Sequence, residues 1–473
     1  MTWVCPRRAD GACRGAPAPR SMVAVAVAAA MLVAVGPVPA AAIGPAEERE
    51  IGARFALEAR RSLPLIREPA LTAYLRSVGD RIVARLDSRQ FAYRFFLVRD
   101  QSLNAFAVPG GYVYVHAGLL ARVKREAELA GVLAHEIVHV HAHHVVRQQR
   151  ETALINYATL AGLFLSAIHP ALGAGAVAAG AAAQLKYQRQ FEQEADHVGL
   201  ELMRTAGFDP AGMPEFLTGV LKVQQLNPTE TPPYFLSHPL TEDRVAELEQ
   251  RVHGMARPAP RAGGEEELAA AQATLRTLVE SRDVVLATYQ ERLARAPENA
   301  EAQHTLGLVY LYGGQPERAE PLLRRAADGG VPGARGDHGR ALVRLGRAEQ
   351  ALGEFEVHLH AAPEDAPIVL ELARLRLAAG ERAVAAALLE RALVLEPELD
   401  DAEYALAECR GKGGDERGQW WHLGRAFELR GEFERAIGAY EKARDLSAKD
   451  SPEREEAKKA IEMLTRSLGV FGR

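Results

Sequence analysis

The chain has 473 residues, of which 48% are hydrophobic and 25% are charged. This length and composition allow two or three folded domains with apolar cores and exclude a disordered chain. The formal net charge at pH 7 is −5, and basic and acidic residues are interspersed, which excludes a general nucleic-acid binder. The three cysteines, Cys5, Cys13 and Cys409, are too few to staple the fold or to form a cysteine-based metal site.

Residues 1–42 have the pattern of an export signal. Four arginines come first, an apolar run from Met22 to Val35 follows, and the small residues at 40–42 fit a cleavage site. The apolar run is short for a membrane span, which favours a cleaved signal over the alternative of an N-terminal anchor. We therefore predict an exported chain, cleaved near Ala42, that keeps only one of its cysteines.

A short β-rich stretch follows the first helical residues of the mature chain. The aromatic and β-branched residues from Phe91 to Val98 predict one strand, and Tyr112 to Val115 alternate as a second. Pro-Gly-Gly at 109–111 predicts a turn between them. The sequence therefore predicts a β-hairpin formed by these two strands.

The next element is a helix that contains HEIVHVHAHH, residues 135–144. His135 and His139 are four residues apart, so they share one helix face and both imidazoles can reach one cation. With Glu136 beside the first histidine, this is the H-E-x-x-H arrangement, in which zinc is held by the two histidines and the glutamate acts as general base. The alternative is a solvated, histidine-rich helix, so the metal hypothesis requires a third ligand elsewhere.

A third ligand is available in YQRQFEQEADHVGLELM. Glu192 and Asp196 are again four residues apart on one helix face, so Glu192 can complete a His₂Glu site while Asp196 accepts the ring N–H of a ligand histidine. Glu194 is the competing ligand, but it lies about 200° around the helix from Glu192, so only one of the two can face the metal. An exposed acidic helix face is the alternative for both.

Between the two ligand helices, residues 152–185 contain no Asp, Glu, Lys or Arg. This length could span a membrane once, but the ligands at its two ends must lie on the same side. Two spans would need about 40 residues, and only 34 are uncharged. We therefore predict a helical hairpin near the site that makes peripheral membrane contact or acts as a lid.

The rest of the chain reads as a linker and a repetitive helical region. Residues 253–264 are rich in Pro, Gly and Ala and predict a linker. Within 265–470, Pro363 and Pro397 are 34 positions apart, which is the period of a tetratricopeptide repeat, although an unrelated helical bundle is the alternative. The clearest unit has the expected residues at Trp420, Leu423, Gly424, Phe427, Ala436, Tyr440 and Ala443. Three less regular copies are marked by Leu306 and Gly307, by Gly339 and Phe355, and by Leu372 and Ala392. The region resembles the tetratricopeptide-repeat family, whose arrays bind peptides or partner proteins.

Three motifs, HEIVH, FEQEADHVG and SHPLTEDR, give residues 45–252 a family resemblance. They resemble the zinc metallopeptidase family that includes the CAAX prenyl proteases, the HtpX heat-shock proteases and the mitochondrial Oma-type proteases. The export signal and the C-terminal repeats are most similar to those of the periplasmic members that act in β-barrel assembly. The resemblance implies a mainly α fold with a small β-hairpin or sheet, in which a gluzincin-type metalloprotease domain precedes an α-solenoid of tetratricopeptide-like repeats.

The resemblance also implies roles for the motif residues. One Zn²⁺ per chain would be bound by His135, His139 and Glu192. Glu136 would be the catalytic base, and Asp196 the second motif residue that supports catalysis.

Two further motifs carry expectations from the same resemblance. His238 would occupy the open zinc position and hold the enzyme latent, or stabilise the oxyanion, whereas without the resemblance it reads as a turn histidine. Arg244 would contact substrate carbonyls or pair with an acid. Asn104 and Phe106 would mark the strand that binds substrate by β-augmentation through main-chain hydrogen bonds.

The expected function is a periplasmic zinc endopeptidase that hydrolyses misfolded or stalled envelope and outer-membrane proteins. Its repeats would recruit these unfolded substrates or the outer-membrane assembly machinery, and no nucleic-acid partner is expected. One alternative is a largely latent chaperone or adaptor that acts through the repeats, although an adaptor has no need of an intact Glu136. The other is an integral membrane protease that uses residues 152–185 as its membrane segment.

Overall fold

The structure is a computed structural model that describes residues 44–151, 181–226, 234 and 238–471. The predicted export signal lies outside the described residues, as does the predicted helical hairpin apart from its last few positions. The described residues are mainly helical with one small sheet, which confirms the expected fold class. None of the described helices is long and apolar enough to cross a membrane.

The described elements fall into two groups along the chain. The first group, up to residue 253, comprises α1 (Pro45–Ser62), β1 (Leu65–Ile66), α2 (Pro69–Val83), β2 (Arg94–Val98), β3 (Ala105–Val108), β4 (Tyr112–His116), α3 (Ala117–Leu120), α4 (Glu126–His141), α5 (His144–Glu151), α6 (Ala181–Thr205), α7 (Gly212–Leu226) and α8 (Glu242–His253). The second comprises α9 (Gly264–Val279), α10 (Arg282–Arg295), α11 (Ala300–Tyr312), α12 (Pro316–Asp328), α13 (Ala334–Arg344), α14 (Ala348–Ala361), α15 (Ala366–Ala378), α16 (Arg382–Leu395), α17 (Asp400–Lys412), α18 (Glu416–Leu429), α19 (Phe433–Leu446) and α20 (Pro452–Phe471).

The sheet has the strand order β1-β2-β4-β3, and its pairing differs from the predicted hairpin. The Pro-Gly-Gly turn joins β3 to β4, which are antiparallel, whereas β2 lies parallel to β4 on its other side. The predicted pairing was wrong because a three-residue turn can connect only the strands that directly flank it, and β2 ends before β3 begins. Gly110 and Gly111 have φ angles of 88° and 99°, which glycine adopts at no steric cost. As a result β3 is an edge strand, and it lies beside α4.

Helix α4 runs through the centre of the first core, and nearly all of its residues are buried. It can do so because from Leu129 to Val140 it is apolar apart from its motif residues, and each buried Leu, Val or Ile side chain stabilises the fold by about 1.5–3 kcal/mol. Glycines allow its neighbours to approach closely. A Cβ on Gly131 would come within 2.8 Å of the Met213 Cα in α7, and one on Gly199 in α6 would come within 2.9 Å of the Met213 side chain.

In the C-terminal region, paired helices cross at glycines. A Cβ on Gly307 would come within 2.7 Å of Leu323, and one on Gly424 within 2.5 Å of the Tyr440 ring. Gly339 stands in the same relation to Phe355. In all three pairs the large residue follows the glycine by sixteen positions, so the small-against-large contact repeats along the array. This is the packing that the repeat pattern predicted.

The first helix of the C-terminal region, α9, packs directly on the hydrophobic core of the first group of elements. Leu268, Ala271 and Leu275 of α9 are buried in the same hydrophobic cluster as α4. The Gln272 side chain donates hydrogen bonds to two carbonyl oxygens at the end of α3, at 3.0 and 2.7 Å. The predicted linker thus connects two regions that share a core.

Candidate metal centre

Helices α4 and α6 bring three candidate ligands to one point. The Nε2 atoms of His135 and His139 are 3.0 Å apart, because residues four positions apart lie one above the other on a helix. The Glu192 carboxylate approaches these two nitrogens at 3.3 and 3.4 Å. Together with His238, one ligand atom from each of these residues lies within 4.8 Å of all the others.

The spacing of these donor atoms fits a single tetrahedral ion. With metal–nitrogen distances of about 2.0–2.1 Å, tetrahedral geometry separates the ligand atoms by about 3.3 Å. The pairs that include His135 or Glu192 are separated by 3.0 to 3.4 Å, and His139 and His238 lie within 4.8 Å of each other. A set of imidazole nitrogens with one carboxylate and no thiolate suits zinc. The residues present therefore fit the metal that the motifs predict.

A carboxylate and a guanidinium hold the first ligand in place. Asp196 Oδ1 lies 2.9 Å from His135 Nδ1, so it accepts that N–H and leaves the Nε2 lone pair directed at the ligand cluster. Arg244 in turn donates to both Asp196 oxygens at 2.6 and 2.7 Å and forms an ion pair with Glu192 at 2.8 Å. Thr241 caps α8 by accepting the N–H of Arg244, which fixes the point where this side chain leaves the helix. Two roles were predicted for Arg244, contact with substrate carbonyls or pairing with an acid. The described contacts are those of the second, an ion pair.

Glu136 lies next to the ligand cluster and is fully buried. Burial raises the pKa of its carboxyl, but the imidazoles of His238, His135 and His139 outweigh that effect and lower the pKa below its usual value. The side chain therefore stays ionised near neutral pH, as a proton-accepting base requires. Its Oε1 is 3.2 Å from His238 Nε2.

His238 fills the fourth corner of the cluster. Its Nδ1 is 3.1 Å from His135 Nε2 and 3.1 Å from Glu192 Oε1. Burial lowers the pKa of His238, but the carboxylates of Glu192 and Glu136 have the larger, opposite effect. Together they raise the pKa to about 10. The Tyr234 ring packs on the imidazole at 4.8 Å, and its carbonyl accepts the His238 N–H. Sequence reasoning missed Tyr234, although an aromatic residue four positions before a histidine is the spacing of one helical turn.

The remaining histidines of the motif helix have other partners. His143 adopts a φ of 55°, and its Nδ1 lies 2.6 Å from Glu48 of α1. His144 Nδ1 lies 3.0 Å from Nδ1 of the ligand His139. Glu194, the competing ligand, does not reach the cluster and instead contacts His144 and Arg147. Glu192 rather than Glu194 is the candidate ligand because the two side chains lie on opposite faces of α6.

Of the two predicted substrate residues, Phe106 lies on the edge strand and Asn104 immediately precedes it. Phe106 is buried and stacks on Tyr114 with ring centroids 5.0 Å apart, so its side chain belongs to the sheet core. The Asn104 carbonyl accepts the N–H of His116 at 3.0 Å. The part of β3 that is available for the predicted strand addition is therefore its main chain, on the edge that no strand among the described residues covers.

Comparisons with known proteins match parts of both regions of the chain to known families. Residues 69–252 match the model of peptidase family M48, and residues 422–455 match that of a tetratricopeptide repeat. Both matches bear out the resemblances predicted from the motifs.

Two named relatives illustrate the extent of the similarity. The chain is 35% identical over 217 residues to the beta-barrel assembly-enhancing protease of Escherichia coli, which covers 44% of each chain. It is 37% identical over 144 residues to the mitochondrial metalloendopeptidase OMA1 of Schizosaccharomyces pombe, covering 29% of this chain and 41% of that one. The chain spans about half the length of the assembly-enhancing proteases it matches. A solved tetratricopeptide-repeat protein of Thermus thermophilus aligns with 42% of this chain and 99% of its own, at 23% identity and a TM-score of 0.29.

Proposed function

Because residues 69–252 form a domain of peptidase family M48, we propose that the chain is a zinc-dependent endopeptidase. The observation that carries this proposal is the spacing of the donor atoms of His135, His139 and Glu192, which suits one tetrahedral ion, with the ionised Glu136 beside them. The metalloendopeptidase names of the relatives support the same chemistry. One zinc per chain follows from the single cluster of this kind among the described residues.

The proposed mechanism assigns each residue one task. A zinc ion held by His135, His139 and Glu192 would supply Lewis-acid activation of a water molecule. Glu136 accepts a proton from the attacking water and delivers it to the amide nitrogen that leaves. Asp196 keeps the His135 ring in the tautomer that turns Nε2 towards the cluster. The main chain of β3 binds an extended segment of an unfolded protein by adding a strand to the sheet edge.

We further propose that His238 keeps this enzyme latent. Its ring occupies the fourth corner of the donor cluster, where a catalytic site keeps a position open for water or substrate. Cleavage then requires His238 to leave. Replacing it, as in His238→Ala, should raise the basal rate at which the purified mature chain degrades a dye-labelled unfolded protein. An unchanged basal rate, with zinc still bound, would count against latency.

A second experiment tests the enzyme proposal itself. Elemental analysis of the purified chain should give one zinc per molecule, and the substitution Glu136→Gln should keep that zinc while lowering turnover by about 10²–10⁴-fold. A chain that contains no zinc, or a Glu136→Gln variant with full proteolytic activity, would sink the proposal. Zinc content is measured on the same samples, so a loss of metal cannot be mistaken for a loss of the base.

The compartment and the clients are part of the same proposal. The export signal predicted from the sequence and the name of the assembly-enhancing proteases support a periplasmic enzyme that removes misfolded or stalled outer-membrane proteins. The repeats would recruit these clients or the machinery that assembles them. In cells that accumulate such proteins, wild-type chain should clear them and Glu136→Gln should not.

A largely latent chaperone is the second candidate, and the observation that favours it is the contact of His238 with both Glu136 and Glu192. It predicts that Glu136→Gln still supports outer-membrane assembly as well as the wild type does. The third candidate, an integral membrane protease, predicts that detergent but not salt releases the chain from membranes. The peripheral contact predicted for residues 152–185 instead gives release from membranes without detergent.

A further inference from the structure

We propose that His144, Glu194 and Arg147 form an outer chain of contacts that fixes the ligand His139, as Asp196 and Arg244 fix His135. No motif or relative's name assigns a role to these three residues. The inference rests on the proposed metal-binding role of His139. It makes His144 a positioning residue, which acts on the metal only through the ring it touches.

The first step of the argument is the tautomer of His139. A histidine that offers its Nε2 lone pair to a metal carries its proton on Nδ1, so that N–H needs an acceptor. The nearest candidate is Nδ1 of His144, at 3.0 Å. Among the described residues, no carboxylate or carbonyl oxygen accepts a hydrogen bond from His139 Nδ1. The acceptor on which His139 depends is therefore a neutral imidazole.

The second step is the state of His144 itself. To accept at Nδ1, its ring must be neutral and carry its proton on Nε2. The ring is buried and stacks on Phe191 with centroids 4.7 Å apart. Removal from water disfavours a charged imidazolium, which agrees with a neutral ring that accepts at Nδ1.

The third step is the far end of the chain. His144 Nε2 has no aligned hydrogen-bond acceptor among the described residues, and its charged neighbour is Glu194 Oε2 at 3.3 Å. Arg147 Nη1 holds both Glu194 oxygens at 3.0 and 2.9 Å. The negative carboxylate thus favours the tautomer with the proton on Nε2, which leaves Nδ1 free to accept from His139.

The two ligand histidines therefore have supports of different strength. His135 donates directly to Asp196, which is almost wholly buried, whereas His139 reaches Glu194 through a neutral ring, and that carboxylate is 37% exposed. Exposed charges are screened by water, so the His139 support is the weaker one. Loss of Asp196 should accordingly weaken metal binding more than loss of Glu194.

The test measures metal binding rather than proteolysis. His144→Phe keeps an aromatic ring that can stack on Phe191 but removes both ring nitrogens. In His144→Asn the side-chain oxygen can take the place of Nδ1 and still accept from His139. Zinc affinity is measured by chelator competition on the full mature chain, and the ligand field by visible absorption of the cobalt(II)-substituted protein. We expect His144→Phe to weaken zinc binding by about 10–100-fold and to change the cobalt spectrum, and His144→Asn to restore most of both.

Two further variants keep the test decisive. Glu194→Gln lies at the surface, does not threaten the fold, and should weaken zinc binding by less than His144→Phe does. His143→Asn is the matched control, because His143 contacts Glu48 rather than a ligand and asparagine tolerates its positive φ. Wild-type affinity and spectrum in both His144→Phe and Glu194→Gln would overturn the inference. If His144→Phe does not fold, wild-type zinc affinity and cobalt spectrum in Glu194→Gln alone would overturn the inference.

The outcome also separates this inference from the proposed function. If the wild-type chain binds no zinc, the proposed function fails and the outer chain has nothing to support. If the wild type binds zinc and cleaves unfolded protein while His144→Phe and Glu194→Gln bind zinc equally well, only the outer chain fails.

Discussion

Arg244 is the side chain on which two buried carboxylates depend, so its removal should be costly. It donates to Asp196 at 2.6 and 2.7 Å and forms an ion pair with Glu192 at 2.8 Å, and all three side chains are buried. Hydrogen bonds to charged groups contribute about 1.5–3 kcal/mol each, but they are not additive. Breaking a buried ion pair by removing one partner costs about 3–5 kcal/mol, because the other charge stays buried. We therefore expect Arg244→Ala to lower the free energy of unfolding of the metal-free chain by about 3–5 kcal/mol.

The assay is urea unfolding of the metal-free and zinc-loaded chains, followed by circular dichroism. Zinc should reduce the deficit of Arg244→Ala, because a bound cation compensates the charge of Glu192, so that only Asp196 lacks a compensating positive charge. Arg244→Lys should be intermediate, since an ammonium cannot reproduce a two-pronged contact with a carboxylate. The control is Arg204→Ala, which removes an exposed ion pair between Arg204 and Glu201, both on α6. It should leave the urea midpoint of unfolding unchanged. Equal unfolding midpoints for Arg244→Ala and Arg204→Ala would refute the reasoning.

Two more predictions concern the repeats. Burial raises the pKa of Asp337, but its hydrogen bond to His304 outweighs this and the net pKa lies below its usual 3.8. A carboxyl whose pKa is lowered by folding stabilises the protein above its unfolded pKa, and this stabilisation is lost as the pH falls through the folded pKa. Asp337→Asn should therefore lower the melting temperature by a few degrees at pH 7 and by less below pH 4. Gly424→Ala places a Cβ 2.5 Å from the Tyr440 ring and should cost about 1–3 kcal/mol, whereas Gly438→Ala on open surface should not destabilise the array. Thermal unfolding monitored by circular dichroism checks both, and equal losses in the two glycine variants would contradict the packing argument.

The candidate ligand residues could be brought together from the sequence because their spacing is a property of single helices. His135 and His139 share a face of α4, and Glu192 and Asp196 share a face of α6, whatever the rest of the chain does. The same local reasoning set Glu194 aside, and the structure places it away from the cluster. Repeat positions were predictable for a similar reason, since a glycine and a large residue sixteen positions later meet within one helix pair.

Pairings between distant parts of the chain were not accessible in this way. The parallel neighbours β2 and β4 depend on how the chain returns between them, which no local pattern records, and the predicted hairpin was therefore wrong. The contact of Arg244 with Asp196 joins helices 48 positions apart in sequence, so the sequence left its role open between substrate and acid. His238 was placed at the site only through the family resemblance, because a His-Pro pair by itself reads as a turn.

The composition of residues 253–264 suggested two independent regions, and the structure gives a physical reason to treat them as one folding unit. Helix α1 supports this most directly. Its Leu57 packs with Phe427 and Phe433 of the last repeats, and its Arg60 pairs with Glu398 at 2.5 Å.

At its other end, α1 contacts the candidate active site. Glu48 meets His143 beyond the end of α4, and Gly52 lets the helix lie against the carbonyl of Pro109 in the turn that ends the edge strand. One helix therefore contacts the repeats, the end of the motif helix and the strand proposed to bind substrate. A partner that shifts the last repeats must move α1 or break its contacts, so the proposed recruitment through the repeats would be physically coupled to the strand proposed to bind substrate. A chain cut at the predicted linker would lose this contact and the α9 side of the core, so neither half is a faithful substitute for the whole in tests of the chaperone function.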